Sequence, residues 1–223
     1  MTHRYFILDK FNTWADWHCT LTAKDIPDAE PKTNYVNIEG AHGTLDLTEA
    51  LAGGPVYSDR TISASFMCSE GDHKERETLL REIRKALHGR KIQIIEPDDP
   101  THYFLGRVKI KASMNHMAYL EFTIEAVCDP WRYAVNETNR VVNSLEDVTT
   151  SIVLHNYGIK VLRPTLRVVG TGSGAVAITC RGVTTELGDG SYYMDTVKLA
   201  PGANVVEITG AGVVTFIYRE ADL

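Results

Sequence analysis

Long apolar runs are missing from this chain. No segment approaches the ~20 consecutive apolar residues that span a bilayer, and the N-terminal run Tyr5-Phe6-Ile7-Leu8 is too short for the core of a signal peptide. The expectation is a protein made and kept in a cytoplasm. Cysteine is scarce too. Cys19, Cys68, Cys128 and Cys180 lie far apart with no CxxC pair, which suggests neither a disulfide framework nor a zinc site and leaves buried free thiols as the expectation. Clustered positive charge is also lacking: with a net charge of -6, the chain has no footprint for phosphate neutralisation. Its single basic cluster, Arg81 to Arg90, sits beside Glu75, Glu77 and Glu82 and reads as a solvated mixed-charge face. Finally, there is no GxSxG elbow, no HExxH and no EF-hand loop, so no local signature of catalysis is present.

What is present suits an ordinary globular protein. At 223 residues the chain is expected to bury roughly 70% of its unfolded surface and to need no covalent staples. Ile62, Ala64, Phe66 and Cys68 fall on alternate positions, and so do Leu120, Phe122, Ile124, Ala126 and Cys128. A period of two marks half-buried strands. Shorter runs at 5–8, 17–21, 35–38, 91–95 and 103–110 read the same way. One segment breaks the pattern. Leu79, Leu80, Ile83, Ala86 and Leu87 recur at helical spacing, Asp72 and Glu75 form a capping-box pattern, and Gly89 supplies a stop. This predicts an amphipathic helix over 72–88 that lays its apolar stripe on a sheet.

Beyond Trp131 the composition changes. Residues 134–150 are polar and read as a linker with room for a short strand at Val141-Val142. From 151 onward, short apolar runs recur at about ten-residue spacing between glycine-rich turns, the pattern of a small antiparallel sandwich. The predicted fold is mainly β: an N-terminal β-barrel or sheet domain with one helix over 1–133, a linker over 134–150, and a C-terminal β-sandwich over 151–223.

Few residues invite a chemical reading. Gly170-Thr171-Gly172-Ser173-Gly174-Ala175 satisfies the dinucleotide fingerprint, with Asp189 available for a ribose, but the fingerprint needs a helix to begin there. Val176, Ile178 and Cys180 alternate instead, which predicts a hairpin turn and a strand. His42 with Asp46, and His102 beside Asp98-Asp99-Pro100, are candidates for a metal or a shared proton, yet turn hydrogen bonding is the simpler role. Asp98-Asp99 and Glu220-Asp222 read as solvated charge. Trp14, Trp17, Trp131, Tyr192 and Tyr193 fit core or interface packing, with stacking on sugars as the alternative. No catalytic residue, cofactor or metal is expected.

Taken in order, the motifs resemble the distal tail protein (Dit) family of siphophages, which form part of the tail-tip baseplate in phages and prophages. The resemblance is carried by Gly40-Ala41-His42-Gly43-Thr44-Leu45-Asp46, by Tyr57-Ser58-Asp59-Arg60, by Tyr103-Phe104-Leu105-Gly106-Arg107 and by Cys128-Asp129-Pro130-Trp131. Asn156-Tyr157-Gly158, Tyr193-Met194-Asp195-Thr196 and Pro201-Gly202-Ala203-Asn204 extend it into the second half. What it implies is a virion structural protein of a long non-contractile tail, not an enzyme, with a galectin-like C-terminal sandwich. The family pattern makes Gly40, Gly43, Asp46, Tyr57, Arg60, Gly106, Arg107, Asp129, Pro130, Trp131, Asp195, Gly202 and Asn204 structural motif residues.

The same resemblance implies a homo-hexameric ring between the tail tube protein and the hub or tail-associated protein, with tape measure or receptor-binding proteins as further contacts. DNA would pass through the pore without being held, which an acidic chain suits. No membrane partner is implied, and the chain has no room for the long insertions that hold receptor-binding arms in some relatives. The alternative is a carbohydrate-binding adhesin module that acts through the C-terminal sandwich.

Overall fold

A computed structural model describes residues 4–50, 54–146, 148–170 and 175–223. The chain divides into two compact units: one runs to Arg132 and takes in Leu223, and the other is Tyr133–Asp222. Both are built from antiparallel strands.

In the first unit the strands are β1 (Ile7–Leu8), β2 (Phe11–Asn12), β3 (Thr20–Asp25), β4 (Tyr35–Asn37), β5 (Thr44–Asp46), β6 (Arg60–Cys68), β7 (Lys91–Glu96), β8 (Asp99–Asn115) and β9 (Leu120–Ala134). Seven of them form one sheet in the order β2-β1-β7-β8-β9-β6-β3, while among the described residues β4 and β5 pair only with each other. The two alternating runs seen in the sequence turn out to be partners. Ile62 lies opposite Ala126, Ala64 opposite Ile124, Phe66 opposite Phe122 and Cys68 opposite Leu120. Large residues thus face small ones at two of these positions, which lets the inward face pack closely. Phe66 stacks on Phe122 at 5.4 Å and receives the edge of Phe6 at 5.9 Å.

The helix α1 spans His73–Leu87. Asp72 accepts from the Glu75 amide at 2.8 Å, and the Glu75 carboxylate accepts from the Asp72 amide at 2.8 Å. That reciprocal cap satisfies two of the orphan donors at a helix start and contributes about 1 kcal/mol. Leu80, Ile83 and Leu87 are buried in the core of the first unit, with Leu79 and Ala86 at its margin. At the other end Gly89 adopts φ +81° and its amide donates to the Val108 carbonyl at 2.8 Å, turning the chain into β7. Arg76 departs from the solvated face that its sequence neighbours suggest. It is buried, and its guanidinium donates to the carbonyls of Gly71, His116 and Met117, pinning the start of α1 to the turn between β8 and β9.

The second unit is a sandwich of two four-stranded sheets. One has the order β10 (Thr138–Ser144), β17 (Gly212–Tyr218), β12 (Thr165–Gly170), β15 (Gly190–Tyr193). The other is β11 (Thr150–Asn156), β16 (Gly202–Thr209), β13 (Val176–Cys180), β14 (Val183–Leu187). A short strand β18 (Ala221–Asp222) ends the chain's pairing. Leu154, Leu166, Val168, Ile178, Val206, Ile208, Val214 and Phe216 fill the space between the sheets. The stretch 134–150, read from sequence as a linker with room for a short strand at Val141-Val142, instead carries a full seven-residue strand, Thr138–Ser144. Residues 138–144 pair with β17 along their whole length, from Thr138 opposite Tyr218 to Ser144 opposite Gly212. β10 is an edge strand that sends only Val142 and Ser144 fully inward, so its composition stays polar. Among the described residues no helix is long and apolar enough to cross a membrane.

Candidate functional site

The residues singled out from sequence fall into three groups. The first is the hairpin β4–β5. Gly40 and Gly43 take φ +82° and +78° in its turn, a backbone that other residues adopt only with strain. Asp46, at the end of β5, accepts from the Thr48 amide at 2.9 Å, and the Thr48 hydrogen bonds hold its carboxyl below the usual range. Asp46 is therefore a turn residue, as its sequence position suggests. The hairpin presents Tyr35 (58% exposed), Val36, Ile38 and Leu45 to solvent. Four large apolar side chains on one small projection are unusual for a free surface.

The second group meets at one end of β6, β8 and β9. Arg60 is 4% exposed; its guanidinium donates to the carbonyls of Pro27 and Pro130 and lies 5.3 Å over the Phe104 ring. Burial, and then the charge of Arg132, lowers its pKa from the ordinary arginine value. Tyr57 meets Trp131 edge to face at 5.6 Å. Lys91 donates to Asp129 at 3.0 Å, and Arg107 donates to the Gly89 carbonyl at 2.6 Å. Gly106 packs directly on β9 beside Cys128. The structure therefore brings Tyr57, Arg60, Gly106, Asp129, Pro130 and Trp131 into one neighbourhood whose members hold the strand ends together.

The third group lies in the sandwich. Asn204 is buried; its amide group donates to the Ala200 and Gly202 carbonyls at 2.8 and 3.1 Å, and its oxygen accepts from the Ala200 amide at 2.9 Å. It locks the turn that enters β16, where Gly202 has φ +91°. Asp195 pairs with Arg163 at the surface. Asn156, which sequence reasoning passed over as a side chain, does for its own turn what Asn204 does, donating to the Lys160 and Leu199 carbonyls at 2.8 and 3.1 Å.

None of these groups has the makings of a catalytic centre. A cavity of about 310 Å³ is lined by Lys24, Asp25, Ile26, Asp28, Arg60, Glu96, Phe104 and Arg132. Its three cations meet three carboxylates, and Lys24 already pairs with Glu96 and Asp98. The lining is balanced in formal charge. Among the described residues, no group of three or more His, Cys, Asp or Glu could hold a metal. His102 shares a hydrogen bond with Asp99 at 2.9 Å, within a turn that Thr101 also caps. Residues 171–174 of the glycine-rich motif lie outside the described residues, but the strand β13 follows them where a nucleotide site needs a helix. Asp189, the candidate ribose partner, accepts from the Gly170 amide instead.

Residues 19–128 match the family model described as phage tail protein RIFT-related domain. A comparison with curated proteins gives no match. Among solved structures, the chain is similar to the SPP1 Dit protein, described as a paradigm of the hub adsorption apparatus in phages infecting Gram-positive bacteria. The TM-score is 0.76 at 14% identity, and all of each chain is covered. Likeness falls off to TM-scores of 0.46 and 0.41, at 8% and 6% identity, for chains of the phage p2 baseplate in its activated conformation with Sr and with Ca, each covered over 99% of both chains. Residues 19–128 are thus similar to the phage tail protein RIFT-related domain family, and the chain as a whole shares the fold of the SPP1 Dit protein.

Proposed function

We propose that this chain is a structural component of the tip of a long non-contractile phage tail. It acts as a homo-hexameric ring joining the tail tube to the hub or tail-associated protein, and it works through contact surfaces and not through bond-making groups. The match of residues 19–128 to a phage tail domain carries the reading. Physical support comes from the β4–β5 hairpin. Tyr35, Val36, Ile38 and Leu45 stand in water on a two-stranded element that, among the described residues, pairs with no other strand, and an isolated hairpin gains stability when a partner covers it. A neighbouring copy of the chain is the partner we assign, because a heterologous contact repeated around an axis closes into a ring.

Mass photometry of the purified chain together with negative-stain imaging tests the proposal. Six-fold particles with a central hole are expected, and Leu45→Glu is expected to shift the population toward monomer without lowering the melting temperature. A wild-type chain that stays monomeric at high concentration, with no rings in the images, would overturn the ring.

A further inference from the structure

Cys19, just before β3, and Cys68, the last residue of β6, are brought side by side by the pairing of these two strands. Thr20 on β3 faces Met67 on β6, and Leu21 faces Phe66. Continuing that antiparallel register by one position puts Cys19 opposite Cys68. The irregularity in this ladder falls between Leu21 and Ala23, on the far side of Leu21 from the pair.

Backbone hydrogen bonding tells which kind of pair this is. The Cys19 amide donates to the Thr13 carbonyl at 2.8 Å and the Leu21 amide donates to the Arg4 carbonyl at 3.1 Å, so both point away from β6. Positions 19 and 21 are therefore the non-hydrogen-bonded sites of the ladder, where opposing Cα atoms approach to about 4.5 Å and side chains are closest. A disulfide bridges Cα separations of about 4.4–6.8 Å. Both side chains face one core, with Cys19 0% and Cys68 2% exposed. Each thiol donates to a nearby carbonyl, Cys19 to Trp17 at 3.3 Å and Cys68 to Glu70 at 4.0 Å, and the nearness of the other sulfur is the largest influence on each, pushing the Cys19 thiol up and drawing Cys68 down to about 6. Two interacting thiols ionise once readily and a second time with difficulty, which makes Cys68 the readier nucleophile of the two.

We propose that Cys19 and Cys68 form a redox modification site, joined into a cross-strand disulfide by a two-electron oxidant of the peroxide class. The Cys68 thiolate attacks one oxygen of hydrogen peroxide, the O–O bond breaks, and the departing hydroxide takes up a proton to leave as water, giving a sulfenic acid at Cys68. The Cys19 sulfur then displaces hydroxide from that sulfenic acid, and its proton completes a second water. One peroxide is reduced to two waters while two thiols become one S–S bond. Access comes through β3, the terminal strand of its sheet, because edge strands open locally far more readily than central ones. Once formed, the bond fixes β3 to β6 and closes the whole segment between them, including the β4–β5 hairpin.

The proposal does not depend on the tail reading, and its test uses the intact wild-type chain. Reduced protein is treated with hydrogen peroxide under native conditions, denatured, alkylated and mapped by mass spectrometry. The expected result is a species lighter by the mass of two hydrogens, with a crosslinked peptide pair containing Cys19 and Cys68. Its melting temperature should be several degrees above that of the reduced form, reversibly with dithiothreitol. A Cys128→Ser/Cys180→Ser variant should crosslink equally well. Alkylatable Cys19 and Cys68 after treatment, over-oxidation of Cys68 without a crosslink, or pairing of either with Cys128 or Cys180 would each overturn the assignment.

Discussion

Gly106 on β8 lies so close to Cys128 on β9 that a Cβ at position 106 would stand 2.3 Å from the Cys128 sulfur and 2.9 Å from the Val127 carbonyl oxygen. No side chain fits between these strands. Gly106→Ala is therefore expected to destabilise the first unit by about 1–3 kcal/mol through overpacking. Adding Cys128→Ala should recover part of that loss but not all, since the Val127 carbonyl belongs to the backbone and stays. Thermal melts of the two single variants and the double variant decide it, and a Gly106→Ala chain that melts with wild type would rule out the close approach. Burial also pushes the Cys128 thiol up to about 12, so its part here is packing and not reactivity.

Arg60 joins two parts of the chain that the sequence separates widely. Its buried guanidinium serves the Pro27 and Pro130 carbonyls at once, one donor for each. Arg60→Ala leaves both carbonyls without that donor and opens space over Phe104, for an expected loss of about 2–3 kcal/mol. Arg60→Lys should restore less than half, because an ammonium is a point donor and cannot reproduce the planar fork. Chemical denaturation followed by tryptophan fluorescence suits the purpose, since Trp131 sits directly after Pro130. Full rescue by lysine would show that charge alone matters at this site.

The helix gives a graded test. Ile83 is fully buried beneath α1, whereas Leu79 lies at the margin of the core. Ile83→Asp puts an unpaired carboxylate into that core and is expected to unfold the first unit at room temperature. Leu79→Asp should cost distinctly less, because its side chain can turn its carboxylate toward water. Asp72→Ala removes half of the capping box and should cost about 1 kcal/mol. Circular dichroism melts that placed these three in any other order would contradict the orientation of the helix.

Several of these features are visible in the sequence for a plain reason: local patterns encode local geometry. The capping pair Asp72 and Glu75 lies within one helical turn, and alternation along β6 and β9 is a property of each strand by itself. The partnership of β6 with β9 was not encoded that way, since register across many residues is decided by how Ile62 fits Ala126 and Phe66 fits Phe122. β10 showed in the sequence only as room for a short strand at Val141-Val142, because an edge strand buries one face only, and Val142 with Ser144 makes a short signal beside Asn139, Arg140 and Asn143. Arg60 and Arg76 look like surface charges, yet both are buried by carbonyls that only the folded chain brings near. The opposition of Cys19 and Cys68 is invisible to spacing rules, which look for cysteines close in sequence.

Electrostatics adds a test whose sign is fixed by geometry. Glu125 on β9 accepts from Lys109 at 2.6 Å and from Lys111 at 2.5 Å, both on β8. The Lys109 ammonium first, and Lys111 next, hold its carboxyl below the ordinary glutamate range. A carboxylate whose pKa is depressed by folding contributes stability that is complete above its unfolded value and is lost as pH falls through its folded value. Glu125→Gln should therefore melt below wild type at pH 7, and the gap should shrink as pH drops below the ordinary value of about 4.3. The two lysines are largely exposed, at 55% and 60%, so molar salt should narrow the same gap at neutral pH. A difference in melting temperature that held constant across both the pH and the salt series would mean that Glu125 acts through packing and not through its charge.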